Sequence, residues 1–326
     1  MEVLCAGSFM IDIVAAHLPD ITPPGGLIYA PKGISLNVGG HAANTSIDLT
    51  QIGQTGVTAT GCIGDDHLGG YIEKTLRGAG VDPRPLILEK ASTAKNIALT
   101  VVGEDRRFIA EFAANTLLSP EHVIHLIREK PRLLYLGTIG GLKYVDKNLE
   151  TILKKAKDIG SATLVDVIPP TQSNWTHVKQ ALKYIDILHC NEYEAQLFTG
   201  EPNSQEAAFK LRKLGARNVI VSLKEKGLTA ITLGISITMP AFKVREVDAT
   251  GAGDALCAGV IRSLLTKDPI DISEKDFVTA LLHGQAAGAA CVTATGATRG
   301  VTKENVDRLI EDQGEAVLGA STLLRL

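Results

Sequence analysis

The chain has 326 residues, 45% of them hydrophobic, which is enough apolar material for one large α/β domain or two ordinary ones. Its net charge of −3 supplies no basic face for nucleic acid, and no run approaches the roughly 18 uncharged apolar residues of a membrane span. The five cysteines stand far apart without a CxxC pattern, so buried reduced thiols are expected rather than disulfides or a metal cluster.

Val3 to Ser8 reads as a buried strand opening a parallel sheet, with Asp12 just beyond its end. Glu2, the lack of a basic leader and Asp12 within the first apolar run predict no signal peptide and a cytosolic, cytoplasmic home. Between residues 13 and 36, Pro19, Pro23, Pro24, Gly25, Gly26, Pro31 and Gly33 punctuate short apolar pieces, which predicts strands or loops outside the main sheet. A helix is expected from His41 to Ile52, a strand from Val57 to Ile63, and a second helix ending near Ala79 and Gly80. Ala94 to Val102 and Arg107 to Ala113 are two extended runs joined by a hairpin signal at Gly103 to Asp105.

A helix begins at Ser119, and strands then alternate with helices. The strands are expected at Leu133–Leu136, Thr163–Val167, Ile185–Cys190 and Asn218–Leu223, the helices near Val145–Ile159, Trp175–Tyr184, Glu192–Thr199 and Gln205–Leu214. Helices of this length between strands imply βαβ units and a parallel sheet covered on both faces. Residues 228 to 247 read as two or three strands in a meander. Helices follow over Lys275–Thr293 and Lys303–Asp312, and residues 313 to 326 read as a tail. The expected architecture is a single doubly wound α/β domain over 1–326, in which the outlying segments 13–37 and 93–113 pair into a small sheet over one edge.

The stretch from Lys243 to Leu265 carries the strongest chemical signal. A strand-like run ends at Asp248-Ala249-Thr250, Gly251-Ala252-Gly253 and Asp254 follow, and then apolar residues recur at helical spacing. Glycines at a helix start let amides turn inward beside the positive end of the helix, a combination that binds anions. An acid inside an anion site repels phosphate unless it must take a proton from whatever attacks that phosphate, which is the role expected of Asp254. The segment resembles the D-T-x-G-A-G-D signature of the ribokinase-like (PfkB) carbohydrate kinases, and further matches run along most of the chain. That resemblance implies a mainly parallel sheet with a small β-sheet lid built from the two outlying segments.

Gly39-Gly40-His41-Ala42-Ala43-Asn44 resembles the family's G-G-x-x-x-N signature, whose Asn and glycine amides bind sugar hydroxyls. His41 stands where ribokinases proper have Lys. Gly7-Ser8-Phe9-Met10-Ile11-Asp12 resembles a second pattern, in which the acid binds hydroxyls, and Asp12 joins the substrate set. Asn191 and Glu194 lie one helical turn apart and match the N-x-x-E motif that organises Mg²⁺ and its waters near the phosphates. Val221 to Gly227 resembles the V-T-L-G-x-x-G nucleotide strand. Ser222 keeps its hydroxyl, Gly227 matches, and Lys224 replaces glycine, either touching a phosphate or lying in solvent. Gln285 lies in a small-residue helix suited to a flat adenine. By position in the family, Cys291, Ala294 and Gly296 join Asp248 and Thr250 around a monovalent cation, K⁺.

The implied reaction is phosphoryl transfer from ATP, with Mg²⁺, to a hydroxymethyl group of a sugar or related polyol, with no Walker P-loop present. Asp254 is the expected base, and the amides of Gly251, Ala252 and Gly253 the expected anion hole. A nucleoside kinase of the same family is the alternative, and a non-catalytic sugar or nucleotide sensor is a further one. A nicotinamide oxidoreductase fits poorly, because Gly7-Ser8-Phe9 is not G-x-G-x-x-G. Lids in this family pair in some members, so a homodimer through the lid is an open expectation.

Overall fold

The structure, a computed structural model, describes residues 1–104, 107–170 and 175–326, without the side chain of Phe108. Among the described residues ten strands form one sheet, in which the strand Val3–Ala6 is flanked by Val57–Thr60 on one side and Leu133–Ile139 on the other. All three run parallel and are buried, as expected of apolar strands with helices over both faces. Parallel pairing continues through Ala162–Val167, Ile187–Asn191 and Asn218–Ser222. Three antiparallel strands then close that side, Leu228–Ile231, Ile235–Met239 and Thr322–Arg325.

Two apolar cores lie on opposite faces of this sheet. One packs the helices His41–Gln51, Ala252–Leu265 and Glu274–Cys291 beneath residues such as Val3, Cys5 and Tyr135. The other packs Leu149–Asp158 and Ser204–Lys213 against Leu4, Leu134 and Val165. Strand order turns back at Val3–Ala6: the chain adds Val57–Thr60 on one side of it and only later Leu133–Ile139 and its successors on the other. In open α/β sheets, the crevice at the carboxyl ends of strands beside such a reversal is where ligands bind.

A second, four-stranded sheet joins Ile34–Gly39, Met10–Leu18, Lys95–Val101 and Arg107–Glu111 in that order. The two segments rich in turn residues and hairpin signals therefore pair with each other, as expected. Of the Gly103–Asp105 turn, Asp105 lies outside the described residues.

Several boundaries differ from expectation. Asp12 is not at the end of the first core strand; the chain leaves the main sheet at Gly7, and Asp12 is the third residue of the strand Met10–Leu18. The apolar run before Asp248 is irregular rather than a strand, because Met239 ends the antiparallel meander and Val247 and Asp248 instead donate to the Val292 carbonyl. Residues 313–326 are not a tail: the helix runs Lys303–Gly319, and Thr322–Arg325 pairs along Ile235–Met239. Its leucines, Leu323 and Leu324, stay half-exposed, so no apolar periodicity marked the strand. The extended run after Arg107 stops at Glu111 and gives way to a 3₁₀ turn over Ala113–Leu117. All five cysteines are free and buried.

Candidate active site

The helix Ala252–Leu265 begins at Gly251, whose φ of +82° is left-handed; a Cβ there would also sit 2.5 Å from the Ala297 carbonyl oxygen. Only glycine fits both demands. Ala255 N–H closes the first helical bond, onto the Gly251 carbonyl, and Ala252 N–H makes only a long 3.4 Å turn contact to Ala249. The amides at this end thus precede the helical ladder and are free to meet an anion.

Asp254 follows in the first turn and is 6% exposed. Its Oδ2 accepts from Asn44 Nδ2 at 2.8 Å, while its Oδ1 has no hydrogen-bond partner. Asn44 Oδ1 is likewise buried and unpartnered. Buried polar atoms are almost always paired, so an orphaned carboxylate oxygen beside an orphaned amide oxygen marks a place that expects a hydrogen-bonding ligand. Burial pushes the Asp254 carboxyl up to about 6, against the opposing pull of His41, with Asp166 adding to the rise and Asn44 to the fall. Such a carboxylate is ionised near neutrality and still basic enough to accept a proton.

Asn44 and His41 come from the helix His41–Gln51, which starts directly after Gly39 and Gly40. A Cβ on Gly39 would lie 2.0 Å from Asp12 Oδ2, so this glycine lets the Asp12 carboxylate rest against the backbone. Asp12 Oδ1 accepts from Asn96 Nδ2 at 3.1 Å. Burial, and to a lesser degree the charge of Asp248, raise its carboxyl above the usual range, with the Asn96 bond opposing them. Asn44 and His41 thus stand beside Asp254, and Asp12 rests against Gly39 just ahead of the helix that carries them.

Asn191 and Glu194 form a reciprocal cap on the helix Glu192–Thr199: Asn191 Oδ1 accepts from Glu194 N–H at 2.9 Å, and Glu194 Oε2 from Asn191 N–H at 2.8 Å. This leaves the other carboxylate oxygen of Glu194 and the Asn191 amide group for outside partners. Ser222 lies directly across the ladder from Asn191, its Oγ 3.3 Å from His189 Nε2. Gly227 and Gln285 both abut the Met239 carbonyl; a Gly227 Cβ would sit 2.0 Å from it, and Gln285 Nε2 donates to it at 3.3 Å. Lys224 is exposed with a left-handed φ of +55°, a conformation suited to the glycine it replaces.

The expected cation residues also converge. Asp248 Oδ2 accepts from Gly296 N–H at 3.0 Å, and Cys291 Sγ contacts the Thr250 carbonyl at 3.3 Å. Ala294 N–H lies 3.4 Å from the Cys291 carbonyl. Two cavities, of about 610 and 330 Å³, are lined by residues such as Val57, Arg84, Arg132 and Gly160 at the amino ends of the strands, away from Asp254.

Sequence reasoning missed a buried polar group beneath Asp254. Asp166, 3% exposed, meets His189 Nδ1 at 2.8 Å, His41 Nδ1 at 3.2 Å and the Tyr135 hydroxyl at 3.1 Å. Burial opposes its charge, but the His189 and His41 imidazoles hold its carboxyl well below the usual range. A signal was present, since an acid inside the fully buried strand ATLVDV must be paired. Asp48 is fully buried with both carboxylate oxygens unpartnered, and burial followed by the charge of Asp254 raises its carboxyl well above the ordinary range.

With this geometry in view, comparison with known proteins is decisive. The family of pfkB carbohydrate kinases matches residues 1–304. The chain belongs to that family. Fructokinase-1 of Zea mays is 25% identical over 286 residues, covering 84% of this chain and 88% of that protein. Aminoimidazole riboside kinase of Salmonella typhimurium is 27% identical over 274 residues, covering 79% and 83%. A crystal structure of fructokinase with bound ATP from Xylella fastidiosa superposes with a TM-score of 0.82 at 20% identity, covering 96% of this chain and 99% of that one. The family kinases phosphorylate a hydroxyl group, and the mainly parallel sheet with a separate small sheet is the fold they share.

Proposed function

We propose that this pfkB kinase uses Asp254 as the base that activates a hydroxymethyl group of a sugar or related polyol for attack on the terminal phosphate of ATP. The observation that carries this reading is the Asp254 Oδ1 that lacks a hydrogen-bond partner, beside a helix start whose amides precede the helical ladder. An alcohol placed there would donate its proton to Oδ1 as its oxygen attacks phosphorus. The Gly251, Ala252 and Gly253 amides would take up the charge developing on the transferring group. Asp12, the Gly39–Gly40 backbone and Asn44 would hold neighbouring hydroxyls, with His41 in the same row.

Ser222, Gly227, Gln285 and Lys224 are the proposed nucleotide contacts, Lys224 reaching a phosphate from its exposed turn. Mg²⁺, when bound, neutralises phosphate charge; the Glu194 carboxylate oxygen and Asn191 amide left free by the cap suit a hydrated ion that keeps most of its waters. Asp248, Thr250, Cys291, Ala294 and Gly296 form the proposed monovalent-cation loop, tested by turnover in K⁺ against a large organic cation. The small sheet would close over the acceptor and exclude water. Its outer face carries Leu36, Ile97 and Ile109, all at least partly exposed and in register across the strands, which suits pairing with a second copy. A cytosolic location accords with five free cysteines.

A nucleoside acceptor is the second reading, favoured by the riboside kinase among the relatives. ADP release measured across sugars, polyols and nucleosides separates the two. Turnover of ribosides but of no free sugar or polyol would replace the first reading with the second, and ligand binding without ADP release would leave a sensor.

A further inference from the structure

We infer that His41 is a positioning residue for Asp254, clamped by Asp166 so that its imidazolium sets the charge state of the carboxylate; the inference rests on Asp254 being the base. His41 Nδ1 lies 3.2 Å from Asp166 Oδ2 and 3.6 Å from Asp254 Oδ1, facing both acids with one nitrogen. The Thr138 N–H also points at Nδ1, at 3.3 Å. A protonated Nδ1 cannot accept that bond, and two adjacent carboxylates outweigh one amide in deciding where the proton sits. His41 is therefore cationic, raised to about 10; burial opposes this, and the charges of Asp254 and then Asp166 overcome it.

The ring has little freedom to turn elsewhere. Its backbone N–H donates to Ser8 Oγ at 3.2 Å, and Ser8 Oγ pairs with Thr138 Oγ1 at 2.6 Å. Thr138 carries a left-handed φ of +64°, unusual for a β-branched residue, so the surroundings hold this turn in place. A Cβ on Gly137 would lie 2.5 Å from His41 Cβ, which packs the base of the side chain directly against backbone. Asp166 is fixed in turn by His189 and Tyr135.

The other titratable groups around the pair leave His41 as its nearest cation. From its own helix comes Asp48, an acid raised well above its ordinary range by burial, and from the helix of Asp254 comes Cys257, a thiol raised by burial. Tyr135 and Cys291 are also raised by burial and stay uncharged near neutrality. Glu194 acts on His41 from a distance, and His189, held by Asp166 at 2.8 Å, pulls on Asp254 less than His41 does. Removing the His41 charge should therefore leave Asp254 protonated at a higher pH than in the native enzyme.

Two measurements on the full chain test this. In the ligand-free protein, the His41 imidazole, identified by the NMR signal missing from His41→Gln, should remain protonated at pH 8. Its midpoint should fall by about one pH unit or more in Asp166→Asn. A neutral imidazole in the native chain, or an unmoved midpoint in the variant, would overturn the inference without any assay of turnover. In kinetics, the acidic limb of kcat/KM should move up by about one pH unit in His41→Gln and return most of the way in His41→Lys. A uniform loss with an unmoved limb would show a merely structural role. Full turnover in Asp254→Asn would instead remove the base assignment while leaving the NMR result standing.

Discussion

Asn44 Nδ2 donates to Asp254 Oδ2 at 2.8 Å, joining residues 210 positions apart in the sequence. The bond ties the helix that follows Gly39–Gly40 to the helix that starts at Gly251, so two glycine turns meet at one carboxylate. It also decides which oxygen of Asp254 is committed and which is left for a substrate.

Asn44→Ala removes that bond. Because the bond favours the ionised form, its loss raises the Asp254 carboxyl above its native value of about 6. The base must be ionised to work, so native kcat/KM should climb with pH through about 6 and then level off. In Asn44→Ala the climb should come later. A hydrogen bond to a charged group contributes about 1.5–3 kcal/mol, so turnover at pH 7 should drop by roughly tenfold or more. A pH series of initial rates checks this, and coincident native and variant curves would count against the bond's role.

Gly39→Ala tests the seat of Asp12. The added methyl would fall 2.0 Å from Asp12 Oδ2, so the carboxylate has to leave its place against the backbone. Overpacking of this kind costs about 1–3 kcal/mol, which predicts a roughly tenfold rise in KM for the acceptor. KM for ATP should hold. Equal changes in both constants would mean that Asp12 does not serve the acceptor.

The sequence made the functional turns legible because their chemistry is local. Glycine order, an acid at a helix start and the Asn191–Glu194 spacing each carry their reason within a few residues. The pairing of the two turn-rich segments followed from their failure to suit the main sheet. Asp166 was harder, because its partners His41 and His189 come from separate elements, and only the oddity of an acid in a buried strand pointed to it. Thr322–Arg325 was invisible for the opposite reason: an edge strand with exposed leucines has no buried face to set a period. Asp12 was misplaced because the sequence does not say where the chain leaves one sheet for another.

Asp48 offers a stability test apart from catalysis. Burial, then the Asp254 charge, raises its folded carboxyl well above 3.8, the ordinary value. A raised carboxyl contributes stability that is present below about pH 4 and is lost as pH climbs through the folded value. The native chain should therefore lose stability relative to Asp48→Asn as pH rises from 4, by up to about 1.4 kcal/mol per pH unit. Urea unfolding at a series of pH values reads this difference directly. A gap that does not widen with pH would mean that Asp48 finds a partner for its charge.

The central assignment is reached most directly by Asp254→Asn, which keeps the size and the Asn44 neighbour but cannot take a proton. Rapid-quench measurement of phosphoryl transfer, with ATP affinity determined on the same sample, should show ATP still bound and transfer slowed by about 10²–10⁴-fold. Transfer at the native rate with ATP bound would contradict the account.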